Sequence, residues 1–440
     1  MSVLHFGLTP KMKPVSPTRG AAVAALDIGT SKIACLIARL EPHPPQDVLR
    51  RRSHGIRLLG FGHTASAGMK GGNVVDLVVA EQMARQAIDA AERMAEVQLE
   101  SVVVSLSGGR IGSERFTARI ELPNGSVAEG DIARVLAAAS RHSVRDGRAV
   151  LHSLPTGYQL DAASGISNPR GMVGYRFGVD MNMVTADVAT ARNLMLTVER
   201  CHLDVEAMTA SPYAAGLAAL TDDEADLGAA VVEMGAGTTT MAVFSGGRFV
   251  YADGFALGGL HVTMDLARGL NARIADAERI KTFYGTVLAG GSDHRDMITV
   301  PSVGDDDSEP PQFVSRETLV RIIRPRVEEI LEMVRDRLRA SPFASDRRGR
   351  VVLTGGASQL TGLADLAARV LDRQVRIGRP LGIAGLPDVA KNPAFAATAG
   401  LLVYPQAAHL EHFEPRRTRQ LMTGTGGYMA RVGRWLRDSF

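Results

Sequence analysis

Cysteine occurs only at positions 35 and 201 of the 440 residues. Two thiols so far apart build neither a disulfide framework nor a cysteine metal site, and a reducing cytoplasm is the expected compartment. No apolar run approaches the ~18 residues that a membrane-crossing helix needs. The opening, Met1 to Pro10, runs on into Lys, Pro and Ser without the apolar stretch of a secretion signal. Aromatic residues make up 5%, and the single tryptophan, Trp435, stands near the end. Net charge is a modest +3, but the last 25 residues hold six Arg and one acidic residue, Asp438. That asymmetry points to an anionic partner for the tail. With 45% hydrophobic residues over this length, the chain can bury sizeable cores and form more than one domain.

Glycine is placed with more purpose. Val23 to Ile37 reads as an apolar strand, a tight turn at Gly29 and a second apolar strand. The turn carries Asp27, Thr30, Ser31 and Lys32. A Gly turn lets main-chain N–H groups face an anion, Lys32 offers a point charge, and Asp27 can hold a hydrated Mg²⁺. The pattern recurs at Val231 to Phe244, where Glu233 precedes Gly235, Ala236, Gly237 and Thr238. Two such hairpins suggest a duplicated domain whose halves clamp a polyphosphate. A third element, Val351 to Ser358, is a strand entering Gly355, Gly356 and Ala357, where backbone can pass close to a flat base and ribose. The trio in this order resembles the nucleotide-binding fold of actin, sugar kinases and DnaK-type chaperones, which makes the expected class α/β.

Along the chain, residues 1–20 read as a disordered leader, and Arg50, Arg51 and Arg52 as a solvated turn. Residues 76–95 place Leu77, Ala80, Ala84, Ala87, Ala91 and Met94 on one helical face. Residues 112–187 alternate strands with one helix, as a separate small inserted domain would. The flanking segments, 21–111 and 188–404, are the two expected halves, with an outer subdomain at about 260–345. Glu278 and Lys281 share a helix face, and Pro325 predicts a kink or restart within 315–340. An acidic loop at 305–311 reads as solvated, and 405–427 as a flexible linker.

The segment 428–440 is amphipathic at about 100° per residue. Trp435, Tyr428, Val432, Leu436, Met429 and Phe440 form one arc, and Arg437, Arg434, Asp438 and Arg431 the other; Ser439 alone falls on the wrong side. Such a helix suits an anionic lipid interface. Apolar transfer of about 1.5–3 kcal/mol per large side chain is an upper bound, and each arginine adds about 1 kcal/mol. One copy would bind reversibly and an array firmly. The segregated faces suit a planar lipid surface rather than a nucleic-acid groove.

From Val23 to Phe440 the chain resembles the bacterial cell-division family FtsA. The resemblance is carried by Leu26–Lys32, Gly68–Gly72, Ser105–Gly108, His152–Tyr158, Asn168–Met172, Ala277–Lys281, Pro301–Val303, Val352–Ala357, Gly400–Leu402 and Trp435–Phe440. It implies an actin-like, ribonuclease-H-like duplicated fold in two lobes, with one actin subdomain missing and another inserted at 112–187. It also implies ATP and Mg²⁺ as ligands, filaments of the chain itself, and tethering of the tubulin-like FtsZ to the cytoplasmic face of the inner membrane. The chain would sit there peripherally, at the division site, and recruit later divisome membrane proteins. Carried over by position, Asp27, Gly29, Thr30 and Lys32 form the first phosphate loop, and Gly235, Gly237 and Thr238 the second. Glu278 and Lys281 would approach ribose and adenine, with Gly355, Gly356 and Ala357 around the adenosine. Arg326 and Glu329 match positions that receive the C-terminal peptide of FtsZ.

One departure stands in the second loop, where the family commonly has Asp-Ile-Gly-Gly-Gly-Thr and this chain has Glu233 and Ala236. Mg²⁺ demands near-ideal octahedral geometry, so a carboxylate one methylene longer should impair hydrolysis more than binding. Three other readings of the fold are weighed. A small-molecule kinase needs a general base in the cleft, and no stretch declares one. A DnaK-type chaperone needs a peptide-binding domain that does not fit after residue 357. A pilus-assembly scaffold of the same kind would not need the terminal amphipathic helix.

Overall fold

In the computed structural model of the chain, residues 9–42, 49–288, 290, 295–301, 312–346 and 349–412 are described. The linker from 413 and the whole of 428–440 lie outside them, as do the acidic loop 305–311 and Ser302 and Val303.

Two sheets carry the same internal order. In the first, strand Ala21–Ile28 pairs antiparallel with Lys32–Glu41, which pairs antiparallel with Gly55–Ala65. On its other side lie Ser101–Leu106 and then Asp204–Ala210, both parallel. In the second, Ala229–Met234, Thr239–Ser245 and Arg248–Phe255 make the antiparallel part, and Arg350–Thr354 and Val375–Ile377 the parallel part. A strand order of 3-2-1-4-5 thus occurs twice, the structural form of the repeat seen in the two glycine turns. Parallel strands buried on both faces explain the near-continuous apolar runs Val102–Val104 and Val351–Leu353.

The second half expected at 188–404 is corrected at its start: Asp204–Ala210 lies beside Ser101–Leu106 in the first sheet. A parallel strand needs a long crossover, and here it is the inserted block plus helix Val188–Arg200. The first half therefore resumes after residue 187. Helix Ala396–Ala407 also packs against strands of the first sheet, far from its sequence neighbours.

The inserted block has its own core of Ile132, Val135, Leu160, Phe177, Val179 and Met181. Its strands Gly112–Glu121, Arg176–Asp187, Arg148–Leu160 and Ala163–Ile166 extend the second sheet through the single pair Asp253 and Gly112. Helix Glu129–Ala139 covers one face.

Glycine and alanine set the closest approaches. Helix Leu77–Ala95, capped by Asp76, buries Ala80, Ala84, Ala87 and Ala91, while Met94 is exposed. A Cβ on Gly60 or Gly62 would fall 2.2 Å from Ala91 O or 2.0 Å from Ala87 O. Helix Arg316–Ala340 runs without interruption through Pro325, which lies on its exposed side, so the freed carbonyl of Arg321 can meet water.

The expected disordered leader is corrected from Thr9 onward. Thr9 is buried, its hydroxyl donates to Val150 O, and Met12 and Val15 pack against the main core. Of the three arginines expected in a solvated turn, Arg50 and Arg51 are exposed and Arg52 is not. Arg52 is buried and donates to Leu381 O at 2.8 Å and Leu217 O at 2.9 Å, while Arg50 pairs with Asp223 and Asp226. Finally, Pro405 does not open the linker, since the last helix continues to Ala407 with Tyr404 and Gln406 buried.

Candidate nucleotide site

Both glycine turns are four-residue loops closed by the same bond. Gly29 N donates to Lys32 O at 2.9 Å, and Gly235 N to Thr238 O at 2.9 Å. Neither glycine has room for a side chain, because a Cβ would stand 2.8 Å from Lys32 O or 3.0 Å from Thr238 O. The loops meet edge to edge. A Cβ on Gly237 would fall 2.5 Å from Thr30 Oγ1, and Gly72 N donates to that hydroxyl at 3.1 Å. Gly72 in turn lies against Gly108, which brings three of the motifs to one place.

The two acidic residues are held in parallel fashion. Asp27 accepts from Ser105 Oγ at 2.5 Å and from Thr398 Oγ1 at 3.2 Å. Glu233 Oε2 accepts from Ser211 Oγ at 2.6 Å and Thr240 Oγ1 at 2.9 Å. Burial pushes the Glu233 carboxyl up to about 7 against these bonds, with Asp27 adding repulsion and Lys32 opposing. Lys32 donates to Ala394 O and lies 3.4 Å above the Phe395 ring. Burial pushes its ammonium down to about 8, while Asp27 and Glu233 draw it back up. The half-buried Lys32 ammonium, stacked on the Phe395 ring, is thus the cation of the first glycine turn. Ser31 differs: it is exposed, and its carbonyl takes the Ser66 N–H at 3.0 Å.

The second loop continues into the third element. Gly259 N donates to Gly235 O at 2.9 Å and Leu260 N to Ala236 O at 2.8 Å, so loop carbonyls cap helix Gly259–Gly269. Lys281, on helix Ile274–Tyr284, donates to Gly259 O at 3.1 Å, to Thr263 Oγ1 at 2.8 Å and to Glu278 Oε2 at 2.7 Å. The Glu278–Lys281 pair is thus anchored to the neighbouring helix. Gly355, at φ +84°, would place a Cβ 2.5 Å from Met234 O, and the Ala357 methyl lies 3.0 Å from the Cβ position of Gly259. Asp27, Thr30, Lys32, Glu233, Gly235, Ala236, Gly237, Thr238, Lys281, Gly355 and Ala357 therefore belong to one connected site. Gly258, Gly259, Thr263, Phe395 and the four hydroxyl partners escaped sequence reasoning; only Gly258–Gly259, directly before an amphipathic stretch, left a local signal.

Arg326 and Glu329 lie elsewhere, on helix Arg316–Ala340. Arg326 Nε donates to Asp265 at 2.6 Å, and the guanidinium also pairs with Glu329. Beside them is a groove of about 510 Å³ lined by Pro325, Glu328, Glu329, Glu332, Arg335 and Arg369. The tail residues Tyr428, Met429, Arg431, Val432, Arg434, Trp435, Leu436, Arg437 and Phe440 are outside the described residues.

Comparison with known proteins places this architecture. The family described as Cell division protein FtsA matches residues 230–400, and the SHS2 domain inserted in FtsA matches residues 108–185. The cell division protein FtsA of Agrobacterium fabrum is 50% identical over 437 residues, covering 99% of this chain and 98% of the relative. That of Escherichia coli K12 is 34% identical, covering 97% of this chain and 100% of the relative. The chain belongs to the FtsA family. Among solved structures, a PilM–PilN type IV pilus biogenesis complex aligns with TM-score 0.59 at 17% identity, covering 87% of this chain and 98% of that one. MreB5 of Spiroplasma citri bound to ADP aligns at 0.52 and 13%, covering 89% and 98%. These distant likenesses show the fold alone, an actin-like one, and the match to the SHS2 domain inserted in FtsA, residues 108–185, falls on the inserted block. Among the described residues, no helix is long and apolar enough to cross a membrane.

Proposed function

We propose that this FtsA-family chain binds ATP with Mg²⁺ between its two glycine loops, assembles into filaments, and ties FtsZ polymers to the cytoplasmic face of the inner membrane. The observation that carries the nucleotide reading is the meeting of Thr30 with Gly237, with the Lys32 ammonium within electrostatic reach of the half-buried Asp27 and Glu233 carboxylates. Lys32 and the loop amides would take the phosphates. Asp27 would hold the hydrated metal, and Glu233 is the second candidate. Gly355, Gly356, Ala357, Glu278 and Lys281 would receive the adenosine. Glu233, one methylene longer than the aspartate common at this position in the family and already held by Ser211 and Thr240, supports binding with slow hydrolysis.

The groove beside Arg326 and Glu329, with three glutamates and two arginines in its lining and each glutamate paired to an arginine of the same helix, is the seat we assign to the FtsZ C-terminal peptide. Residues 428–440 would supply the anionic-lipid contact and the inserted domain the contact for later divisome proteins; no nucleic acid is invoked. Flotation with anionic vesicles, ATP–Mg²⁺ and FtsZ polymers tests the whole reading. The chain should carry FtsZ to the vesicle fraction, and Trp435→Glu should abolish this at unchanged ATP binding. Flotation by the variant equal to that of the parent chain would refute the lipid role of the tail.

A further inference from the structure

The His152–Tyr158 motif takes no part in the nucleotide site. His152 is fully buried on strand Arg148–Leu160, edge-on to Tyr213 at 4.9 Å and Tyr404 at 6.0 Å. Its Nε2 accepts the Ala210 amide at 2.8 Å, so Nδ1 carries the proton and donates to Glu411 Oε1 at 2.7 Å. The Tyr404 hydroxyl donates to the same oxygen at 2.9 Å. Glu411 Oε2 is buried and accepts no hydrogen bond among the described residues. A carboxylate so placed needs a nearby positive charge.

That charge comes from the opposite end of the chain. The half-buried Lys11 ammonium donates to Leu151 O at 2.6 Å and Val150 O at 3.3 Å, directly before the His152 that holds Glu411, and is within electrostatic reach of that carboxylate. Burial pushes it down to about 8, with Glu411 acting in the other direction. Thr9 fastens to the same strand, and Arg19 O accepts from His54 Nε2 at 3.0 Å, while His54 N donates to Gln406 at 2.9 Å. One residue after Glu411, His412 N donates to Ser153 O at 2.8 Å. The strap of residues 9–19 and the last described residues thus grip one strand of the inserted domain.

We propose that residues 9–19 are a clamp on the root of the C-terminal segment, in which Lys11 keeps Glu411 buried against His152 and fixes the chain at His412 to the inserted domain. A pull on the chain beyond His412 would then be borne by the strand that joins the main core to the inserted domain. The inference holds whatever that segment binds.

Hydrogen exchange of the full-length chain, followed by mass spectrometry of the peptide spanning residues 404–412, reads the clamp directly. Lys11→Met should speed exchange there by about ten-fold or more, through local opening without a change in the two sheets. Lys13→Met, at an exposed strap position, should leave it unchanged. Adding Glu411→Gln to Lys11→Met should restore most of the protection, because no unpaired charge then remains. Thr9→Val, which removes one strap bond and no charge, is the milder variant and should give about a three-fold acceleration. Unchanged exchange in both Lys11→Met and Thr9→Val, or a double variant no better protected than Lys11→Met, overturns the proposal.

Discussion

Glu233 makes the second phosphate loop sensitive to pH in a definite direction. Its carboxyl titrates at 4.5 when unperturbed and near 7 in the fold, so the folded chain holds the proton more tightly. Its contribution is fully present below 4.5 and is lost as pH rises through 7. At about 1.4 kcal/mol per pH unit, this amounts to about 3 kcal/mol. Denaturant unfolding of the nucleotide-free chain at pH 5, 6, 7 and 8, compared with Glu233→Gln, isolates that part. The variant should gain on the parent chain from pH 5 to pH 7 and little more by pH 8, and parallel curves would rule it out. Lys32 behaves in the opposite sense. With its ammonium lowered to about 8, the fold bears a buried charge at neutral pH that an arriving polyphosphate would neutralise. Lys32→Met should therefore leave the melting temperature unchanged or raised while weakening ATP binding at least ten-fold, about 1.4 kcal/mol, by calorimetry.

At the scale of elements, the fold depends on approaches that only glycine and alanine permit. Gly400 lies where a Cβ would stand 1.7 Å from Ala214 O, so the helices Ser211–Ala219 and Ala396–Ala407 cross almost backbone to backbone. Gly400→Ala and Gly62→Ala should each cost about 1–3 kcal/mol or prevent folding. Gly130→Ala is the contrast. It lies inside helix Glu129–Ala139 with nothing within 4 Å of its Cβ position, and should stabilise by about 0.5–1 kcal/mol in thermal unfolding. The same distinction explains what was legible beforehand. The glycine turns, the alanine stripe of Leu77–Ala95 and the inserted block are local patterns, and all could be read from neighbouring residues. Ser105, Ser211, Thr240 and Thr398 could not, because a hydroxyl becomes a carboxylate's partner only when sheet order brings it there. Asp204–Ala210 went to the wrong half for a related reason, since a parallel strand carries no signature of its neighbour. The strap at 9–19 is held mostly through main-chain acceptors and a few side chains, which no periodicity announces.

Among the described residues, exposed apolar side chains stand on both the inserted domain and the outer subdomain. Val173 is 80% exposed and Tyr175 76%, on the inserted domain. On the outer subdomain, hairpin Met297–Val300 with Gln312–Ser315 buries Ile298 and Val300 and turns Met297 and Phe313 outward, Phe313 being 63% exposed. Two such patches on different subdomains can join head to tail and so propagate. Each variant, Tyr175→Asp or Phe313→Asp, spoils one end only. Removing about 1.5–3 kcal/mol of apolar burial should raise the concentration needed for filaments roughly ten- to hundred-fold. A mixture of the two variants is the sharper measurement. The sound hairpin of one meets the sound inserted domain of the other, so electron microscopy should show no filaments while mass photometry shows pairs. Filaments in either variant alone, or a mixture that stays monomeric, would exclude this contact.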